Sequence, residues 1–269
     1  RLGSVTDAVL ANAEWDRRRA EIDAHNAENP IIRRGLAMMP IKFGISFNRT
    51  ALNQAGALVH VYQDGSVLLN HGGTEMGQGL FIKVAQVVAE VFQISMDQIK
   101  ITATATGMVP NTSATAASAG SDLNGMAAFN AAEAIRGRMT KVAADHFGVG
   151  DEIITFREGR VHANNESVSF GELAKMSWLK RVQLSEAGFY ATPKIHWDPK
   201  AMRGSPFYYF SYGAAVSEVA IDTLTGETRC LRADIVQDVG TPLNPAIDLG
   251  QIEGAFVQGM GWLTCEELW

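Results

Sequence analysis

Eight residues, Gly72-Gly73-Thr74-Glu75-Met76-Gly77-Gln78-Gly79, join a segment with strand character to one with helix character. Glycines in such a place remove side chains, so backbone N–H groups and the positive end of the following helix can approach an anionic or polar ligand closely. A phosphate-bearing cofactor suits a loop of this kind. The alternative is a strained strand-to-helix turn that binds nothing, and the segment alone leaves both open. It lacks the Gly-Lys-Ser/Thr ending of a Walker loop and the G-x-G-x-x-G of a dinucleotide fold, so a nucleotide suits it less.

A second stretch, Pro110-Asn111-Thr112-Ser113-Ala114-Thr115-Ala116-Ala117-Ser118, is built from small and hydroxyl-bearing residues and leads into a helix that Ser121 or Asp122 could cap. Small residues let donors line a narrow pocket without filling it. A surface loop with its own Ser/Thr turns has the same composition. A third helix start, at Asn244-Pro245-Ala246-Ile247-Asp248-Leu249-Gly250, precedes Gly254-Ala255-Phe256-Val257-Gln258-Gly259. Three such starts brought together form a strong site for anions and dipoles. The histidines (His25, His60, His71, His146, His162 and His196) show no H-x-x-x-H spacing, which argues against a metal held by protein side chains. No G-x-S-x-G or Cys–His arrangement supports a nucleophilic hydrolase. The paired acids Asp151-Glu152 and Glu266-Glu267 fall in loops or ends and read as solvated.

The elements that must position these residues follow from periodicity and turn chemistry. A helix is expected from Ser4 to about Asn26, with Asp16 to Arg19 on a solvated side. Strands are expected in IKFGISF and in ALVHVYQ and SVLLNH, the latter two joined across Asp64-Gly65. LFIKVAQVVAEVFQI reads as a mostly buried helix, IKITAT as a strand, and Met126 to Phe147 as an alanine-rich helix. IITFREGRVHA reads as a hairpin turning at Glu158-Gly159, SFGELAKMSW as a short helix, and residues 207–240 as two long strands around Leu224-Thr225-Gly226. A final helix is expected from about Asp248 toward Leu263. Without a regular βαβ period the fold class is α+β, mixed sheets with packed helices. The expected division is a helical lead-in (1–30), a cofactor lobe (31–148) and a second lobe (149–269).

At 269 residues, 46% hydrophobic and 19% charged, the chain can bury a sizeable core. Its net charge of -6 argues against a nucleic-acid surface. Cys230 and Cys265 are far apart, so no disulfide framework is expected and a reducing cytoplasm suits the chain. No apolar run reaches bilayer length and no signal-peptide core is present, so no membrane association is expected. The chain begins on Arg1 and stops at Trp269 without a terminator, so both ends are expected to be cut.

The segments PIKFGISF, LNQAGALVHVYQDGSVLLNHGGTEMGQGL, PNTSATAAS and DVGTPLNPAIDLGQIEGAFVQGMGW resemble, in order, the molybdenum-binding portion of the xanthine dehydrogenase family. The resemblance covers nearly all of the chain after Arg33. It implies molybdenum held by the dithiolene of a molybdopterin, with Gln78 of MGQG and Gln258 of AFVQG hydrogen-bonding the cofactor and Gly77 beside them. Ala116, Ala117 and Ser118 are expected to line the cofactor, the Ala117 backbone lying closest to the metal. Phe47 matches one of two aromatics that sandwich a planar purine, and Asn48 stands where the family's pattern has Thr.

The implied reaction is hydroxylation of purines, hypoxanthine and xanthine to urate, with water as oxygen source. Electrons are expected to leave through 2Fe-2S clusters and FAD on other domains or subunits, in an oligomer. The family's G-G-F-G-G-K-E, A-F-R-G-F-G-G and G-x-x-E-P segments are absent, and by family order they belong upstream of Arg1 and beyond Trp269. No catalytic residue is therefore expected in this chain. Two other readings stay open: the same fold acting on an aldehyde or another N-heterocycle, and a cofactor-free structural module.

Overall fold

In the computed structural model, which describes residues 1–109 and 111–269, the chain forms two compact units. One comprises Arg1–Ile45 and Tyr209–Trp269, the other Ser46–Tyr208. The first unit is discontinuous, so its boundaries do not coincide with the expected ones at 30/31 and 148/149. The physical reason is strand pairing between distant segments.

The first unit opens with two helices, α1 (Leu2–Asn12) and α2 (Trp15–Glu28), where a single one was expected. Glu14, left-handed at φ 50°, redirects the chain between them, and the break lets Val9 and Ala13 on one side and Ile22 on the other reach the same core. The first helix is preceded by Arg1 without a side-chain cap, so Ser4 does not start it. Next comes β1 (Ile32–Ile45), longer than the expected IKFGISF.

The second unit begins with β2 (Gln54–Val61) and β3 (Val67–His71), the expected hairpin. Its turn is fixed by Asp64 Oδ1, which accepts from the Ser66 N–H, and by Gly65 at φ 86°. From β3 the chain crosses through α3 (Leu80–Phe92), which buries Val84, Val88 and Phe92, to the parallel β4 (Ile99–Ile101). A 28-residue helix, α4 (Gly120–Phe147), starts six residues earlier than the sequence indicated; its cap position is Ala119, not Ser121 or Asp122, and carries no side-chain bond. Ala127, Ala128, Ala131 and Ala132 are buried on it.

A small sheet follows, β5 (Thr155–Arg157), β6 (Arg160–Ala163) and β7 (Glu166–Ser169). The next helix, α5 (Phe170–Leu179), is started by a reciprocal Ser169/Glu172 capping box. Then β8 (Ser185–Ala191) pairs with β2, giving the mixed sheet β4-β3-β2-β8. Gly188 lets β8 approach α4 closely, because a Cβ there would strike the Ala127 carbonyl. A hairpin, β9 (His196–Asp198) and β10 (Arg203–Ser205), closes the unit.

The chain then returns to the first unit with β11 (Tyr209–Asp222), β12 (Thr228–Asp238) and α6 (Pro245–Thr264). β11 is the central strand of an antiparallel sheet with order β1-β11-β12. On the edge strand β1, Pro40 lies opposite Ala214, a place where its missing N–H is tolerated. Val9, Ala13, Ile22, Leu36, Ala214 and Val216 form this unit's core. Arg18, expected to be solvated, is instead buried at 4% exposure and bound to Glu218 and Asp234. Mixed sheets with packed helices bear out the α+β class.

Candidate cofactor site

The loop between β3 and α3 is held from both sides. A Cβ on Gly72 would strike Thr112, and one on Gly73 would come within 2.5 Å of Leu80 and 2.7 Å of Asn124, so both glycines are required by close approach. Gly77 and Gly79 take φ of 100° and 74°. Backbone N–H groups that a loop of this kind can offer a ligand are here taken up by Glu75. Its carboxylate accepts from the N–H groups of Gly77 (2.9 Å), Gly79 (3.0 Å) and Phe81 (3.0 Å), and so closes the N-terminus of α3. Burial raises its pKa, but the N–H bonds from Phe81, Gly79, Gly77 and Leu80 outweigh it, and the carboxyl lies below the ordinary range. An acidic residue just ahead of a helix start is a signal that was legible in the sequence.

Gln78 is held across the same loop. Its Oε1 accepts from the Met76 N–H (2.6 Å), and its Nε2 donates to the Thr74 carbonyl (2.8 Å). One amide N–H and one lone pair remain for a ligand.

The second loop, whose first residue Pro110 lies outside the described residues, is stitched to the first by the Thr74 N–H, which donates to Thr115 Oγ1 at 2.9 Å; the segment after β4 adds Thr104, whose Oγ1 donates to the Gly73 carbonyl at 3.0 Å. Ala117 and Ser118 are both left-handed, at φ 54° and 57°, just before α4. Such conformations cost about 1–3 kcal/mol per non-glycine residue and persist where the surroundings impose them. Ala116 and Ser118 are exposed and Ala117 is half-buried.

Among the described residues, three buried polar atoms beside Gly72 and Gly73 have no hydrogen-bond partner: His71 Nε2, Thr112 Oγ1 and Asn124 Oδ1. His71 Nδ1 accepts from the Gly73 N–H at 3.1 Å, which leaves the ring proton on Nε2 as a donor. Its ring stands edge-on to Phe81 at 4.9 Å, and burial pushes its pKa down to about 4. Unspent donors and acceptors around a loop that small residues keep open fit a polar, heteroatom-rich cofactor. A folded pKa below the unfolded value of about 6.5 means that the unfolded chain takes up the proton first. Stability from His71 is thus full above pH 6.5 and is lost as pH falls toward 4, by roughly 3 kcal/mol. Urea midpoints of the wild type and His71→Asn, taken between pH 7.5 and 4, should converge as pH falls; parallel curves refute the assignment.

Phe47 and Asn48 open the second unit. The buried Asn53, which the sequence reading did not single out, clamps Phe47: its Oδ1 accepts from the Phe47 N–H and its Nδ2 donates to the Phe47 carbonyl, each at 2.8 Å. Phe47 is half-buried and Asn48 exposed. The Thr74–Thr115 bond therefore brings together the loops of Gln78 and of Ala116, Ala117 and Ser118, and Phe47 and Asn48 belong to the same unit. Gln258 belongs to the first unit, exposed in the C-terminal half of α6, whose start is capped by Asn244 Oδ1 accepting from the Ile247 N–H at 3.2 Å. Among the described residues no three His, Cys, Asp or Glu side chains gather as a metal site, and no helix is long and apolar enough to cross a membrane.

Comparison with known proteins agrees with this architecture. Residues 8–269 match the family model described as molybdopterin cofactor-binding domain, and the chain belongs to that family. It is 46% identical over 267 residues to the xanthine dehydrogenase of Dictyostelium discoideum, which covers 98% of this chain and 18% of that protein. Xanthine dehydrogenase of Oryza sativa is 50% identical over 266 residues, again 98% of this chain and 18% of the relative. The resemblance read from the motifs is borne out, and the chain spans about a fifth of the relatives' length. Among solved structures, quinoline 2-oxidoreductase from Pseudomonas putida 86 superimposes with a TM-score of 0.82 at 20% identity, covering 96% of this chain and 33% of that one. CO dehydrogenase from Oligotropha carboxidovorans gives 0.77 at 21% identity, over 94% and 32% of the two chains. At these identities the likeness is one of fold.

Proposed function

We propose that this chain forms the cofactor-binding part of a xanthine dehydrogenase, a cytoplasmic molybdenum hydroxylase that converts hypoxanthine and xanthine to urate with water as oxygen source. The observation that carries the reading is the Thr74–Thr115 hydrogen bond, which ties the Gln78 loop to the Ala116-Ala117-Ser118 turn. The relatives' names support the purine substrate.

In this reading Gly77, Gln78, Ala116, Ala117, Ser118 and Gln258 hold the molybdopterin, with the Ala117 backbone beside the molybdenum. The bound cofactor supplies a two-electron redox centre. Gln78 engages the cofactor's polar edge through the N–H and lone pair that its loop leaves unused. The left-handed turn at Ala117-Ser118 keeps bulk away from the reacting carbon. Phe47, fixed by Asn53, stacks on the purine ring, and Asn48 offers a donor and an acceptor at its edge. A glutamate on another segment of the molybdenum domain takes the proton, and 2Fe-2S clusters and FAD on other domains or subunits of an oligomer carry the electrons away.

The test is molybdenum and extracted pterin measured on the chain expressed with its native flanking segments in a cofactor-producing host. The expected result is near one equivalent of each; less than about a tenth overturns the enzyme reading. Gln78→Ala should weaken retention by roughly five- to a hundredfold, as expected when a polar group of the bound cofactor is left without its partner. Unchanged content in that variant makes the glutamine a loop brace only.

A further inference from the structure

His71, the last residue of β3, touches both ends of the 72–79 loop. At the entry its Nδ1 accepts from the Gly73 N–H at 3.1 Å, and at the exit its ring stands edge-on to Phe81, centroids 4.9 Å apart. The residue is 2% exposed, so water does not compete for the bond to Gly73.

From Gly73 a line of bonds leads to Gln78. The Gly73 carbonyl accepts from Thr104 Oγ1 at 3.0 Å, so both backbone groups of this glycine are held. Thr74 donates its N–H to Thr115 Oγ1 at 2.9 Å and offers its carbonyl to Gln78 Nε2 at 2.8 Å. Where Gly73 is fixed therefore decides where Thr74 lies and, through it, the Gln78 amide. Gly73 cannot be steadied by a side chain of its own, because a Cβ there would come within 2.5 Å of Leu80. A neighbour has to hold it.

Only one form of imidazole can do so. The neutral ring with its proton on Nε2 leaves a lone pair on Nδ1, whereas the imidazolium and the other tautomer turn a proton against the Gly73 N–H. Burial outweighs the opposing pull of Glu75, and a pKa of about 4 keeps the ring neutral around pH 7.

We propose that His71 is a positioning residue for cofactor binding: as the neutral imidazole protonated on Nε2, it clamps the loop at Gly73 and Phe81 and so sets the place of the Gln78 amide. The inference rests on the reading of Gln78 as a cofactor ligand.

Two substitutions separate a clamp from plain core packing. His71→Leu keeps an apolar side chain in the space and removes the acceptor, and His71→Asn returns an acceptor oxygen near the place of Nδ1. The protein is made with its native flanking segments in a cofactor-producing host, and retained molybdenum and pterin are measured after gel filtration at pH 7.5. Retention should fall about tenfold or more in His71→Leu and stay within about threefold of wild type in His71→Asn. His71→Leu added to Gln78→Ala should cost little beyond the single change, since both act through one amide. Amide hydrogen exchange on cofactor-free protein gives a second readout: residues 73–79 should exchange about tenfold faster or more in His71→Leu, with β2 and α4 unchanged, and His71→Asn should restore the slow rate. Unchanged retention or exchange in His71→Leu, equal losses in His71→Asn, or losses that add in full with Gln78→Ala overturn the proposal. Should His71→Leu fail to fold, 15N spectra of the wild-type imidazole decide: a bare Nδ1 supports the clamp and a protonated Nδ1 overturns it. Wild-type protein that never carries molybdenum overturns the function proposed above, whereas the exchange and tautomer measurements still show whether His71 holds the loop.

Discussion

If the proposed function holds, leucine in place of Ala117 is expected to cut purine oxidation in the loaded enzyme by more than about a hundredfold and to leave the fold intact. Ala117 is left-handed at φ 54°, and Ser118 follows at 57°. Leucine is no worse than alanine in that conformation, because the penalty arises at Cβ, which both share. The backbone path can therefore stay the same, and the added carbons project from a half-buried turn that is assigned to the space beside the molybdenum. Ala117→Gly is the matching control: it removes the Cβ penalty and keeps turnover. Steady-state purine oxidation, measured beside thermal unfolding, checks both. Normal oxidation by Ala117→Leu refutes the placement of this turn at the reacting centre.

Glu218→Ala destabilises the first unit by about 3–5 kcal/mol, the range found when one member of a buried ion pair is removed. Glu218 is 3% exposed and sits where the β11–β12 register shifts. Arg18 Nε donates to its Oε2 at 2.8 Å, and Arg34 donates to its Oε1. Without the carboxylate, Arg18 keeps Asp234 at 3.0 Å, but Arg34 loses its partner. Burial raises the Glu218 pKa and the bonds from Arg34 and Arg18 lower it by more, so this stabilisation is present above the ordinary carboxylate range and fades as pH falls through the folded value. Urea unfolding at neutral pH measures the loss. A change under about 1 kcal/mol, as for a solvated surface pair, shows that the cluster does not hold α2 to the sheet.

Both predictions depend on features that differ in how far the sequence revealed them. The turn at Ala117 belongs to a contiguous motif whose small residues are visible in order, so its assignment to a cofactor could be made before any fold was known. Its left-handed backbone could not, because neither Ala nor Ser favours that conformation and only the docking of the loop against Thr74 and the start of α4 imposes it. Arg18 read as a solvated charge because its partners lie about 200 residues away. Asn53 read as an ordinary loop residue because nothing local says that its amide will pair both backbone groups of Phe47. Glu75 is the opposite case: the acid ahead of α3 was in plain view, and helix-start chemistry would have assigned it to the backbone N–H groups that were offered to a ligand.

The Gly72–Gly79 loop, the small-residue stretch and the AFVQG segment were determined by the sequence itself, since residue type, spacing and order are local properties, and so were the Asp64-Gly65 hairpin and the buried side of α3. Tertiary structure alone decided that β1 pairs with a strand from residue 209 onward, that Glu75 fills the start of α3, and that His71, Thr112 and Asn124 hold unspent polar atoms around the two glycines. Each of these is set by which distant groups meet once apolar surface is buried, and chain spacing carries no record of that.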